Sequence, residues 1–570
     1  MNDEVKTIKI ELGDWLKNVG IVGLLQILRY KRKNNEILIE EGRFLEFDVS
    51  LLENFDKSYF EVFKRKNEKS LSIYKIINKK SRLETLKIEL DNYTENSDKK
   101  EFLKGIENLN KDIEYIKSKV ISNSYKSAYI LANNLNIEEM IKKFSKVKIS
   151  KKGLTSKEME ISIIQIENLL NVINYLESED VYKYVMAKNI MYDIIQPFWS
   201  NVSFLLKTNN KEDMYKLYKK DFVAPTINFY NSDKTKYKYE CFTCDNKIKK
   251  LGKPDSFDLT WITKMGADPS RKSSHFWNFY CDAYVCPICN LVYSCIPLGF
   301  NVLNGRGIFI NNNIDIGMLN MCNIVKFKDE KDTDNIFQGI EYATYMSIVN
   351  YMEQKNIENL SYELENIQVI KFNSNNPTRP YSFSVLSKSI MEMIYKKRKI
   401  FNSLIKISVK ITDKYYINLY DEVINRIYSG SNLFDLIDNL IRLHIKGGFK
   451  AIRVVRGILE INNSLLGGSS MYYKETEKYV GYGVNLRESY INKNSENKLS
   501  GITYKLMNSL KTKDIDKFIY TIVNSYMYVG SRVPIDISKA LNNEDTFREI
   551  GYAFVLGLQS EDKKEGNDNE

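Results

Sequence analysis

A chain of 570 residues with 43% apolar and 28% charged side chains has enough apolar surface to pack its own cores, which excludes wholesale disorder; at this length roughly two to four domains are expected. Its 84 basic against 73 acidic residues leave a net charge of +11, a moderate lean towards polyanions. Lys, Asn and Ile are abundant in the way an AT-rich coding sequence would produce, which discounts part of that lean, and two histidines, His275 and His444, exclude a three-histidine metal site.

The opening Met1-Asn2-Asp3-Glu4 is acidic and has no signal-peptide pattern. Residues 5–12 alternate apolar and polar side chains and read as a strand. Asp14 is placed to cap a helix on which Trp15, Val19, Val22, Leu25 and Leu28 recur on one face. The apolar run 20–28 is too short to cross a bilayer, so no membrane association is expected and the expected compartment is the cytoplasm. Residues 37–47 hold Glu41-Gly42 between two apolar runs, the pattern of a hairpin. Residues 51–206 are mostly helical in pattern and heavily charged. Within them, 86–120 is rich in Lys and Glu with weak apolar periodicity, as in a solvated helical hairpin. Near Asp221 the character changes: Pro225, an aromatic-rich run to Tyr239 and a group of cysteines mark a compact module ending near Asn323. Short strands are predicted at 307–311 and 367–372. Helical patterns return over 384–558, broken at Ser429-Gly430-Ser431, Gly447-Gly448 and Gly467-Gly468-Ser469-Ser470.

The fold class that follows is α+β and predominantly helical. Its parts are a mixed α/β N-terminal region with a long helical segment (1–220), a central four-cysteine zinc module with short strands (221–383), a C-terminal helical bundle (384–559) and a disordered tail (560–570).

All seven cysteines lie between Cys241 and Cys322, an arrangement foreign to a secreted disulfide protein of this length. Cys241-Phe242-Thr243-Cys244 and Cys286-Pro287-Ile288-Cys289 are two C-x-x-C pairs with 41 residues between them. Each pair sets two thiols on one tight turn, and two such turns complete a tetrahedral zinc site. Four soft thiolates leave no position open for water, so the predicted zinc is structural, supplying on the order of 10–16 kcal/mol of apparent binding energy to a small module. Redox or coincidental cysteines are the competing reading. Cys281, Cys295 and Cys322 read as small buried hydrophobes. A zinc deaminase would need P-C-x-x-C and an upstream H-x-E, but Pro287 lies inside the pair and His275-Phe276-Trp277 has no Glu.

Arg271-Lys272 precede Phe276, Trp277, Phe279 and Tyr280, a mixture of cations and rings that suits a nucleic-acid strand. The rings would equally fill the module's core, which leaves Arg271 and Lys272 as the contacts to expect. Beyond the second pair, Asn301, Asn304, the Gly-flanked Arg306 and Asn311 offer the side chains that meet adenine and guanine edges. A simple Asn-Gly hairpin turn is the competing reading there. Lys450, Arg453 and Arg456 fall near one face of a helix beginning after Gly447-Gly448, and Lys396 to Lys399 form a second cluster. Both fit phosphate tracking, and ordinary solvated helix faces explain them equally well. No phosphate-binding P-loop, H-E-x-x-H, G-x-S-x-G or dinucleotide fingerprint occurs, and no enzyme is expected.

Leu12-Gly13-Asp14-Trp15-Leu16, followed by Asn18-Val19-Gly20-Ile21-Val22-Gly23-Leu24-Leu25, resembles the opening of the large-subunit family of type I-B CRISPR effector complexes, the Cas-eight, Tneap-subtype group. The module holding Cys241/Cys244 and Cys286/Cys289, the chain length and the helical C-terminal end are also similar to that family. Residues 86–120 carry no matching motif. The resemblance implies a non-catalytic subunit of Cascade, the crRNA-guided surveillance complex. Such a subunit sits near the 5′ handle of the crRNA, reads the protospacer-adjacent motif on double-stranded target DNA, helps open it and recruits a separate helicase-nuclease. The implied partners are therefore crRNA, target DNA, the other Cascade subunits and that helicase-nuclease in trans. The family's motif-reading residues do not transfer position by position, so Asn301, Asn304, Arg306 and Asn311 rest on the residue reading alone. The C-terminal helical region resembles the small subunit that lines the DNA path, which in type I-B systems can arise from an internal start; Met391, Met393 and Met471 are the candidate starts. A stand-alone zinc-ribbon nucleic-acid-binding protein is the alternative, and a metal-dependent nuclease with scattered carboxylates a third reading.

Overall fold

Asp14 starts the first long helix as its residue type requires. Its Oδ1 accepts the Leu16 and Lys17 amides at 2.8 and 3.0 Å, satisfying two donors that no helical carbonyl can reach. The structure is a computed structural model. It describes residues 6–33, 36–92, 99–132, 137–148, 156–262, 283–303, 305–323, 346, 348, 349, 353, 367–376, 378–412, 415–449, 452–466 and 471–560. Compact packing divides the chain into two units. The first takes 1–301 with 313–320 and 373–380, and the second takes 302–312, 321–372 and 381–570. The sequence boundaries at 220/221 and 383/384 mark changes of composition, whereas the compact units are divided by packing.

In the first unit, β1 (Thr7–Glu11), β2 (Leu38–Glu41) and β3 (Phe44–Asp48) form an antiparallel sheet in the order β1-β3-β2. Ile10 faces Leu45, and Ile8 and Leu38 both face Phe47. These five side chains are buried, as period-two alternation demands. Gly42 turns the hairpin with φ of +52°, a conformation that favours glycine. Helix α1 (Trp15–Lys31) departs from the expected single apolar face: every residue from Leu16 to Leu25 is buried. The cause is its position between α2 (Phe55–Asn67) and the cysteine module.

The charged segment also differs from expectation. Leu83, Leu86 and Leu90 on α3 (Lys80–Asp91) are buried, as are Ile106, Leu109, Ile113, Ile116 and Val120 on α4 (Lys99–Val120). The α4 spacing of alternate threes and fours is a full helical stripe, diluted to the eye by Lys and Glu at the positions between. Asp112 is buried and pairs with Lys79 at 2.6 Å and with Arg82, which compensates its desolvation.

In the second unit, β6 (Asn301–Leu303), β7 (Arg306–Asn311), β8 (Ile367–Asn373) and β9 (Tyr381–Leu386) form a four-stranded sheet in that order, with β7 and β8 near the two strands read from sequence. A hairpin of β10 (Ser408–Thr412) and β11 (Tyr415–Asn418) lies inside the stretch read as helical. Its alternating Val409, Lys410, Ile411 and Thr412 carry a strand period that the surrounding helices mask. The remaining C-terminal chain is the expected helical bundle, ending in Ile452–Leu465, Met471–Asn492, Leu499–Thr512, Ile515–Val529 and Glu544–Leu558. Phe434 stacks on Tyr552 and Phe518 meets Phe547 edge-on, with ring centres 5.8 and 5.2 Å apart. The Gly467–Ser470 turn and residues 561–570 lie outside the described residues.

Candidate metal centre

The first C-x-x-C pair sits at the turn of a two-residue hairpin, β4 (Tyr239–Glu240) with β5 (Lys247–Ile248). The Cys241 amide donates to the Asn246 carbonyl at 2.9 Å and the Asp245 amide to the Cys241 carbonyl at 3.0 Å. Asp245 takes a φ of +58°, which tightens the turn until both sulfurs point the same way. The second pair starts α5 (Pro287–Ser294), with Cys286 as its N-cap and Cys289 in its first turn. Pro287 stands where no amide hydrogen is needed. A bridge joins the two halves: Phe257 and Val285 exchange amide bonds at 3.0 and 2.8 Å, and the Phe242 amide donates to the Tyr284 carbonyl at 2.9 Å.

The four sulfurs lie within 4.8 Å of one another. Cys241, Cys286 and Cys289 are buried and Cys244 is half-buried. The Cys244 and Cys286 sulfurs are 3.6 Å apart, far longer than a disulfide of about 2.05 Å. Tetrahedral ligation by four thiolates at about 2.3 Å sets sulfurs about 3.8 Å apart, so the cluster has the dimensions of a metal cage. Amide donors reach two of the sulfurs: the Cys286 backbone to Cys241 and the Asn246 side chain to Cys244, each at 3.2 Å. Hydrogen bonds from the other three thiols, Cys241 foremost, hold Cys244 well below the ordinary thiol range. Burial pushes Cys286 up, and the contact with Cys241 pushes Cys289 up. Four thiols this close cannot all ionise against one another; a divalent cation removes that repulsion. Two C-x-x-C turns converging on one point fit a metal better than two separate redox pairs.

The opening motif of the chain is the scaffold for this centre. After α5 the chain continues into α6 (Ile296–Gly299), and both pack on α1. A Cβ placed at Gly20 would lie 2.5 Å from the Val292 carbonyl oxygen, one at Gly23 2.0 Å from that of Cys295, and one at Gly299 2.0 Å from that of Val19. The helices therefore meet backbone to backbone, and only glycine fits. Ser294 anchors the far end of α5. Its carbonyl accepts from Tyr59 at 2.8 Å and Trp199 at 3.2 Å, and its hydroxyl bonds Tyr218 at 2.7 Å. This buried group was not foreseen, because its members are scattered from 59 to 294 in the chain. Cys295 and Cys322 are buried as expected, and burial pushes the Cys295 thiol up to about 12.

The proposed nucleic-acid contacts are placed unevenly. Arg271, Lys272, Asn304, Lys450 and Cys281 lie outside the described residues. Arg306, at the start of β7, and Arg453, on the helix Ile452–Leu465, are exposed. Asn301 and Asn311 are buried, and the Asn311 amide donates to Gln368 Oε1 on the neighbouring strand at 3.0 Å. Neither side chain is open to a base edge, and Asn311 is engaged within the sheet. Arg456 and Lys397 are held in ion pairs by Glu477 and Glu460.

Residues 234–301 match the family model described as CRISPR-associated protein (Cas_CXXC_CXXC). The matched segment runs from just before β4 to just past α6 and contains all four clustered cysteines. No curated protein and no solved structure gives a match. The family match indicates a CRISPR-associated protein.

Proposed function

We propose that this CRISPR-associated chain is the non-catalytic large subunit of a type I-B crRNA-guided surveillance complex, Cascade. The observation that carries the reading is the family match over the same module in which two distant C-x-x-C turns converge. The opening motif that resembles that subunit family packs directly on this module through Gly20 and Gly23, which supports reading the two features together. The metal is zinc, held by Cys241, Cys244, Cys286 and Cys289. With four protein ligands it has no position for water or substrate and serves folding rather than chemistry.

In such a complex, base pairing by crRNA reads the target sequence, while protein reads a short motif and backbone shape. Exposed Arg306 is the side chain assigned to a base edge at the protospacer-adjacent motif, and exposed Arg453 to phosphate. The subunit helps open the duplex and recruits a helicase-nuclease that does the cutting, so no catalytic step is assigned to this chain. None of the described helices is long and apolar enough to cross a membrane; a cytoplasmic location is part of the proposal.

The test is affinity purification of the tagged protein from its native host, with identification of co-purifying proteins and sequencing of bound RNA. The expected result is a multi-subunit complex carrying short repeat-spacer RNAs. Recovery of the chain alone, or with bulk DNA, would contradict it and favour an independent zinc-ribbon binder.

A further inference from the structure

A cavity of about 490 Å³ lies beside the metal module, and none of its lining residues is a cysteine. Its wall is built from the helix Ala224–Asn231, the loop after β5 and Pro287 at the start of α5. Two kinds of side chain meet there. Lys220, Lys249 and Lys253 are exposed on the rim. Among the described residues none of these three enters an ion pair, whereas nearby Lys247 is held by Glu240 at 2.5 Å. Half-buried Tyr237 presents its ring to the same cavity, and the buried Phe229 and Phe257 form its apolar lining. A further cation, Lys234, lies 4.7 Å from the centre of the Phe229 ring. Asp221 and Asp255 also line it and are outnumbered by the lysines.

The size falls within the roughly 300–1,000 Å³ of ligand sites. A solvated lysine face would need no ring-lined hollow, and an apolar ligand would need no unpaired ammonium groups. Rings stack on bases of any sequence, cations track phosphate, and carboxylates accept from exocyclic amino groups. We propose that the cavity receives one unstacked nucleotide of a single strand, its base among the rings and its flanking phosphates on Lys249 and Lys253. This rests on the nucleic-acid reading above and adds to it a site for the opened strand.

The test is photocross-linking of the full chain to a single-stranded oligonucleotide carrying 5-bromodeoxyuridine, with mapping of the attached peptide. The expected attachment is within residues 220–257. Lys249→Ala/Lys253→Ala should bind about ten-fold more weakly and lose roughly one phosphate contact of salt dependence per lysine. Tyr237→Ala should reduce the cross-link while the helical signal and metal content stay unchanged. Attachment elsewhere, with unchanged affinity in the double lysine variant, overturns this site and leaves the nucleic-acid reading standing. No oligonucleotide binding by the unaltered chain likewise overturns this site. Equal competition by thymidine monophosphate overturns the strand and makes the cavity a free-nucleotide site.

Discussion

Each compact unit contains a glycine seam, and the two seams differ in what lies next to them. In the N-terminal unit, Gly20 and Gly23 of α1 meet α5 and α6, and the start of α5 carries two of the four clustered cysteines. In the C-terminal unit, a Cβ at Gly483 would lie 2.1 Å from the Phe554 carbonyl oxygen and one at Gly557 2.0 Å from that of Val480. That second crossing is surrounded by apolar and aromatic packing, with no clustered thiols among the described residues. The same close helix contact therefore adjoins a four-cysteine cluster in one unit and ordinary core packing in the other. Conditions that act on the metal should separate the two.

The largest expected separation comes from metal removal. A chelator, or Cys286→Ser, should withdraw on the order of 10 kcal/mol of apparent binding energy from the cysteine module. Limited proteolysis should then cut within 6–301 while fragments of the bundle over 434–558 persist; uniform digestion of both would break the comparison. Next come the seams themselves. Gly23→Leu and Gly557→Leu each drive a side chain into a backbone carbonyl and should cost about 3 kcal/mol or more. Urea unfolding should show each loss in its own unit, and an unchanged midpoint would deny the backbone contact. A smaller test compares caps. Asp14→Ala and Asn543→Ala each remove a side chain that accepts a first-turn amide; each should cost about 1 kcal/mol, with metal content unchanged by the second.

The last contrast is in pH. Burial, with Asp545 nearby, raises the Glu549 carboxyl from 4.5 to about 7. Its folded pKa lies above its unfolded value, so the folded state binds the extra proton between these limits. The C-terminal bundle should therefore lose stability as pH rises from 4.5 to 7, and Glu549→Gln should flatten that slope. The cysteine module should run the other way, since acid competes with metal for thiolates. Parallel pH profiles for the two units would contradict the assignment.

Legibility followed how locally each feature is encoded. The Asp14 cap, the Gly42 hairpin and β7 and β8 depend on neighbours in the chain and could be read from it. The cysteine pairs were legible although 41 residues separate them, because each half is itself a tight turn. The stripe on α4 was hidden by the charged residues between its apolar positions, and β10–β11 by the helices around it. Burial of α1 on all sides, and enclosure of Asn301 and Asn311, depend on what packs against them. No local pattern carries that information: Gly20 and Gly23 read as weak helix formers until the carbonyls of Val292 and Cys295 are seen opposite them. The Ser294 group shows the same dependence, since Tyr59, Trp199 and Tyr218 meet only in the folded core.

The claim that one metal gathers the two C-x-x-C turns is tested most directly by X-ray absorption at the zinc edge on the purified chain, with metal content measured on the same sample. The account predicts about one zinc per chain with four sulfur neighbours at about 2.3 Å. A folded, metal-free chain, or zinc bound through nitrogen and oxygen, would contradict it.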